Sequence, residues 1–309
     1  MARTRKRDRP RTPAPRTPWA LYGGVAAFAL LAIAVVGFVM RGSGGATQAT
    51  TGVAPGASPA AAAEGGLRQV GSIRAADYHS LLFSPAEPTT LFFGNHNGIM
   101  RSGDGGRTWG NLVERSNFDA MILGANPASP EVVWTAGHGI FSRSNDGGKN
   151  WSPFKTDLPG TDIHAFAVGS ANPNVLYALV VGSGLFRSAD GGASWQARGA
   201  PPVIALATGG TPETLYVGTQ QGILISRDGG ESYSSPVPVG GSPVVALAAA
   251  PAGGVVYAGT PSGLYRSDDE GATWIQAGYG GNVAAVAVHP VDSARVAVID
   301  GQGKVFASG

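Results

Sequence analysis

The sequence predicts an all-β protein, a six-bladed β-propeller preceded by one N-terminal transmembrane helix. Three observations carry this. One octapeptide recurs five times at near-constant spacing, six short apolar runs keep the same period, and one long run near the N-terminus carries no charge. Glycine is abundant, with 48 residues, while charged residues make up only 14% of the chain, as expected for many short strands joined by tight turns.

The octapeptide reads Ser-x-Asp-x-Gly-x-Ser/Thr-Trp/Tyr. Its copies begin at Ser102, Ser144, Ser188, Ser226 and Ser267, and their aspartates are Asp104, Asp146, Asp190, Asp228 and Asp269. The aspartates are 42, 44, 38 and 41 residues apart, the size of one four-stranded blade. The motif explains itself as a hairpin: the carboxylate accepts from turn amides, glycine supplies positive φ, and the aromatic residue packs back on the strands. These five aspartates are therefore expected to be structural.

Innermost strands are expected in the runs 79–85, 119–127, 164–173, 203–209, 244–251 and 283–290. Six runs against five octapeptides leave the last blade short of its outer strand. The β-like segment 68–74 (RQVGSIR) is expected to supply it and so close the ring, removing an exposed sheet edge.

The uncharged run from Trp19 to Met40 is long enough to span a hydrocarbon core of roughly 30 Å. Seven of the eight Lys/Arg in residues 1–41 precede it, which places the N-terminus in the cytoplasm and the rest of the chain outside. A cleaved signal peptide is the competing reading, but its apolar region is normally shorter, about 7 to 15 residues. Residues 42–66, rich in Gly, Ala, Ser, Thr and Pro, read as a flexible tether. The expected organisation is a basic cytoplasmic tail (1–18), an anchor (19–41), a linker (42–66) and a propeller (67–309), in a single-pass cell-membrane protein with its propeller extracytoplasmic.

Composition excludes several functions. With no cysteine there is neither a disulfide nor a thiolate site. The net charge of +2 conceals a basic tail followed by a mildly acidic remainder, so no nucleic-acid surface is expected.

The octapeptide resembles the Asp-box, or bacterial neuraminidase, repeat shared by sialidases, sortilin-type receptors and photosystem II assembly factors. The resemblance covers residues 67–309. It is specific for fold and nearly silent about function. A closer likeness is to exported bacterial propellers labelled sialidase-like or glycosyl hydrolase, carried by Asp77-Tyr-His79, Asn95-His96-Asn-Gly98, Gly137-His138-Gly139 and Asp162-Ile-His164. The assembly-factor likeness would call for a seventh blade and a basic patch, and the chain shows neither.

In such a ring the octapeptide hairpins lie on one face, and loops joining strands two to three and four to one lie on the other. Four of the five histidines, His79, His96, His138 and His164, fall on that second face. Neutral imidazoles with a carboxylate suit a borderline transition metal such as Zn or Cu, with Asp119 as a further oxygen ligand. Asp77 and Asp162, two residues before their histidines, would orient the imidazoles from outside the coordination sphere. The alternative is that each histidine only hydrogen-bonds its own loop.

A sialidase would need an arginine triad. Arg101, Arg143, Arg187 and Arg266 instead each precede an octapeptide serine, a repeated and hence structural position. A glycosidase would need a carboxylate pair, which the sequence does not single out. The expected function is a tethered binding or assembly module whose partner is an envelope protein or a glycan; the alternative is a sialidase-like glycoside hydrolase.

Overall fold

The computed structural model describes residues 66–309 apart from 116 and 242. The expected tail, the anchor and all but the last residue of the linker lie outside these residues. Among the described residues no helix is long and apolar enough to cross a membrane.

Six antiparallel sheets follow one another along the chain. Blade one holds Ser80–Phe83, Leu91–Asn95, Gly98–Ser102 and Gly110–Glu114; blade two holds Ile122–Ala125, Val133–Gly137, Ile140–Ser144 and Ser152–Pro153. Blade three comprises Ile163–Val168, Leu176–Val180, Gly184–Ser188 and Gln196–Ala197. Blade five comprises Ala246–Ala249, Val256–Thr260, Gly263–Ser267 and Ile275–Gln276. The first strands line a narrow axial cavity of about 150 Å³, walled by Leu81, Leu123, Phe166, Leu206, Leu247 and Val286.

Blade four departs from the expected four strands. It has three, Ala205–Thr208, Leu215–Thr219 and Gly222–Ser226, and its fourth is reduced to a single bridge between Ile223 and Val237. Val237 exchanges two backbone hydrogen bonds with Ile223, at 2.8 and 2.9 Å. Pro236 and Pro238 flank Val237 with their nitrogens directed away from Ile223, a place where proline is tolerated at a sheet edge, and Ser234 N–H adds one further bond, to the Ile225 carbonyl at 2.9 Å.

Blade six closes as expected. Val283–Val288, Val296–Asp300 and Lys304–Ala307 come from the C-terminus, and Arg68–Ser72 pairs antiparallel with Lys304–Ala307 as the outer strand, from Arg68 opposite Ala307 to Ser72 opposite Lys304. A bulge falls between Gln69 and Gly71. Glycine is required at 71 because a Cβ there would lie 2.2 Å from the carbonyl oxygen of Gly106 in the first octapeptide hairpin.

Six apolar clusters fill the six blade interfaces. Between blades six and one, Leu81, Leu91 and Phe93 pack against Ala285, Ile299 and Val305; between blades two and three, Trp134 and Phe141 pack against Phe166 and Leu176. The second strands are sandwiched between neighbouring blades, so Leu91–Asn95, Val133–Gly137, Leu215–Thr219, Val256–Thr260 and Val296–Asp300 are buried along their whole length. Continuous burial explains why they are mostly apolar, with one polar residue each, Asn95, Thr135, Thr219, Thr260 and Asp300.

The octapeptides form one repeated hydrogen-bond unit. In the first, Ser102 Oγ donates to Asp104 Oδ1 at 2.8 Å and accepts from Gly106 N–H at 2.9 Å, while Thr108 donates through its N–H to Oδ1 at 2.9 Å and through its hydroxyl to Oδ2 at 2.6 Å. Trp109 Nε1 caps the Gly106 carbonyl at 3.0 Å. The second copy carries Asn150 where Ser or Thr was expected, and its Nδ2 donates to Asp146 Oδ2 at 2.7 Å, replacing the hydroxyl. These bonds favour the charged carboxylates. Asp146 is held down to about 2, chiefly by the Asn150 N–H, and Asp190 and Asp228 to about 2 by the hydroxyls of Ser194 and Ser232. Asp104 and Asp269 are lowered in the same way, chiefly by Thr108 and Thr273.

Candidate functional site

The chain reverses between strands two and three of blade one at His96-Asn97, and of blade two at His138-Gly139. Asp77, His79 and Asp119 precede first strands, and Asp162 and His164 flank the opening residue of another. Because the strands are antiparallel, all these positions fall at the end of the blades opposite the octapeptide turns.

Backbone bonds stitch each turn to the entrance of the next blade: Ala120 N–H donates to the Asn95 carbonyl at 3.0 Å, and Gly139 N–H to the Thr161 carbonyl at 3.0 Å. Gly137 lets the second turn approach, since a Cβ there would lie 2.0 Å from the Asp119 carbonyl oxygen. The stitching places Asp119 between His96 and His138, and Asp162 between His138 and His164.

The seven residues expected to cooperate are all brought together, as an arc alternating imidazole and carboxylate. Asp77 Oδ2 contacts His96 Nδ1 closely, and Asp77 Oδ1 lies 3.4 Å from His79 Nε2. Asp119 Oδ2 accepts from His138 Nδ1 at 2.5 Å and stands 3.9 Å from His96 Nε2. Asp162 Oδ1 lies 3.0 Å from His164 Nε2 and 3.9 Å from His138 Nε2. Two pairs of imidazole nitrogens also face each other, His79 Nε2 with His96 Nδ1 at 3.4 Å and His138 Nε2 with His164 Nε2 at 3.0 Å.

Three overlapping donor groups result: Asp77, His79 and His96; His96, Asp119 and His138; His138, Asp162 and His164. The expected set of four histidines around Asp119 is therefore spread over three groups, and Asp77 and Asp162 stand among the donors as directly as Asp119 does. Burial lowers the His79 pKa from the ordinary imidazole value, the Asp77 charge opposing and His96 adding to it. Asp119 is mostly enclosed, yet its Oδ1 accepts no hydrogen bond. Elsewhere the arc is half open, with 47% of the His138 side chain and 49% of Asp162 exposed.

Three turns elsewhere on this face are closed by their own side chains. Thr219 and Thr260 donate to the carbonyls of Gly222 and Gly263 within their own turns, and Asp300 accepts from the N–H groups of Gln302 and Lys304 at 2.8 and 2.9 Å. His289 lies at the far end of blade six, buried. It accepts from the backbone of Val291 and Asp292, and burial followed by Arg295 lowers its pKa.

One feature was not legible in the sequence. A polar cavity of about 430 Å³ borders the arc, walled by Arg74, Asn95, Asn97, Asn111 and Glu114. It arises where the closing segment after Ser72 passes the third and fourth strands of blade one, a contact that no local motif announces. The arginines preceding the octapeptide serines do not gather there. Arg101 pairs with Glu87 at 2.6 Å, Arg187 with Glu213 at 2.8 Å and Arg266 with Asp268 at 2.7 Å, while Arg143 lies over the Trp134 ring.

Residues 78–211 match the family model described as photosynthesis system II assembly factor YCF48. The matched segment contains most of the arc, from His79 to His164, and it brings forward the assembly-factor likeness that blade number and charge had argued against. Among solved structures, YCF48 from Cyanidioschyzon merolae has a TM-score of 0.53 at 16% identity, covering 79% of this chain and 98% of that one. The GH74 xyloglucanase from Xanthomonas campestris has a TM-score of 0.52 at 19% identity, covering 78% and 53%. An ancestral GH74 enzyme has a TM-score of 0.52 at 16% identity, covering 77% and 36%. This chain thus spans about a third to a half of the length of the two GH74 enzymes, and at these identities the likeness shows the fold alone. No curated protein matches the chain. The six-sheet ring shows a six-bladed propeller, and the matched segment supports its likeness to BNR-type propellers.

Proposed function

We propose that this propeller is an extracytoplasmic recognition or assembly module, tethered by the apolar segment 19–41, whose working face is organised by a transition metal held in the histidine–aspartate arc. The observation that carries the metal is the alternation of four imidazoles with three carboxylates, with imidazole nitrogens 3.0 and 3.4 Å apart. Such nitrogens repel unless a proton or a cation lies between them, and imidazole with carboxylate is a donor set suited to Zn or Cu. A structural role for the histidines would need each to close its own loop, as His289 does; His96, His138 and His164 instead face neighbours across blade boundaries, and His79 faces His96.

The assembly role draws on the likeness of residues 78–211 to an assembly factor. The cavity beside His96 has the polar walls a protein segment or a glycan of the cell envelope would use, with Arg74 as a cation and Asn97 and Asn111 as amides. The test is the metal content of the full-length chain after loading with Zn or Cu and dialysis, beside a variant with His79, His96, His138 and His164 changed to Ala. Near-stoichiometric metal, lost from a variant that keeps its circular dichroism spectrum, is the expected result. No bound metal in either protein would overturn the reading.

A further inference from the structure

The three donor groups are not equivalent, and the proton positions separate them. His138 Nδ1 lies 2.5 Å from Asp119 Oδ2, a carboxylate oxygen that can only accept, so this nitrogen carries the proton. The lone pair of His138 is therefore on Nε2, the atom that faces His164 Nε2 at 3.0 Å and Asp162 Oδ1 at 3.9 Å. His164 Nε2 is itself 3.0 Å from that same oxygen, which is buried and without a hydrogen bond. Three donor atoms from two adjacent blades thus converge, and a carboxylate behind His138 fixes its tautomer.

Blade one repeats half of this unit. Asp77 stands 19 residues before His96, as Asp119 stands before His138, and each aspartate contacts the Nδ1 of its histidine. Each Nε2 then points to the next aspartate along the ring, at 3.9 Å in both cases. The units differ in the third donor: two residues after Asp162 comes His164, whereas two residues after Asp119 comes Met121. His79, at the corresponding place in blade one, meets the Nδ1 side of His96, where Asp77 already sits.

Resting on the reading that the arc holds metal, we propose that the ion occupies one centre, at the boundary of blades two and three, with His138 Nε2, His164 Nε2 and Asp162 as ligands. Asp119 is a positioning residue that holds His138 through Nδ1. This reverses the roles that spacing alone assigns to the two aspartates. Two histidines and a carboxylate give three protein ligands and leave a further position for water or a donor from the partner, as in zinc sites that keep an open position. The exposure of His138 and Asp162 makes that position reachable from solvent. Asp77, His79 and His96 form a separate polar pair-and-bridge beside the Arg74 cavity, free to contact the partner.

The experiment is equilibrium dialysis of the full-length chain against Zn²⁺, with the ion counted by mass spectrometry and folding followed by circular dichroism. One ion per chain is expected in the unaltered protein and in His79→Ala and His96→Ala. None is expected in His164→Ala or Asp162→Ala, and His164→Gln serves if the alanine variant unfolds. Asp119→Ala should keep the site but weaken it by about 10- to 100-fold, the usual effect of removing a ligand's hydrogen-bond partner. Asp119→Asn, whose amide oxygen still accepts from Nδ1, should recover part of that loss. An ion that survives His164→Ala but is lost from His79→Ala or His96→Ala would overturn this placement while leaving the metal reading intact. Two ions per chain would overturn the single centre, and none in the unaltered protein would overturn both.

Discussion

Aspartate does opposite work on the two faces of this ring. In the octapeptide hairpins each carboxylate is saturated within its own turn by a serine hydroxyl, a backbone N–H and the side chain at the seventh position. In the arc, Asp77, Asp119 and Asp162 face imidazoles, and Asp119 and Asp162 each keep one buried oxygen without a hydrogen bond. A saturated carboxylate adds to folding and has nothing left for a ligand. An unsaturated one adds little to folding and retains donor capacity, which is what a binding site requires. Blades four to six show the saturated arrangement on the arc's own face, where Thr219, Thr260 and Asp300 close their turns.

The largest effect should come from the closure that holds both faces. Removing residues up to 73 deletes the outer strand of blade six together with Ile73, which is buried between blades six and one. Urea unfolding should show a loss of more than about 4 kcal/mol, in the range of severe lesions, or no cooperative transition. A ring that unfolds as before would mean that the C-terminal strands close it unaided.

Next come the hairpins. Ser144 is fully buried and accepts from the buried Gly148 N–H at 2.8 Å, so Ser144→Ala leaves that donor unpaired and should cost about 1 to 3 kcal/mol. Metal stoichiometry should not change. A fall in bound metal without a fall in stability would break the division between the faces.

Acid sharpens the same contrast. The hairpin carboxylates have folded pKa values below the ordinary 3.8, about 2 for Asp146, Asp190 and Asp228, so their contribution to stability is complete above pH 4 and is lost as pH falls through about 2. In Ser194→Ala the hydroxyl bond that contributes most is missing, and Asp190 should titrate closer to 3.8 in a carboxyl-carbon NMR experiment. An unmoved Asp190 would shift the credit to the turn amides.

The smallest effect is expected in the arc itself. Without metal, His138→Ala should lower stability by about 1 kcal/mol in thermal or urea unfolding, because the side chain is half exposed and packs no core but donates to the mostly enclosed Asp119. A loss above about 2 kcal/mol would make the arc a structural network and remove the contrast between the faces.

Much of the fold was legible because its signals are local or periodic. The octapeptide repeats at blade spacing, and the surplus first-strand run pointed to segment 68–74 as the closing strand. Asn150 in the second copy was absorbed because an amide can donate where a hydroxyl does. The shortened outer strand of blade four was not legible, because the period of the neighbouring repeats predicts four strands there. In the site, the grouping of four histidines on one face followed from their places in the repeat, whereas the roles of Asp77, Asp119 and Asp162 did not.

The sequence alone determined the hairpin aspartates and the ring, because these rest on bonds formed within a few residues and on a repeat, and it determined the closure because counting repeats leaves one blade short of a strand. Only the tertiary structure decided which imidazole nitrogen meets which carboxylate. Asp119, His138 and His164 lie on two blades, and their distances depend on how the apolar interface of Trp134, Phe141 and Phe166 sets one blade against the next. A displacement of one ångström there separates a ligand from a hydrogen-bond partner, and no spacing along the chain encodes that.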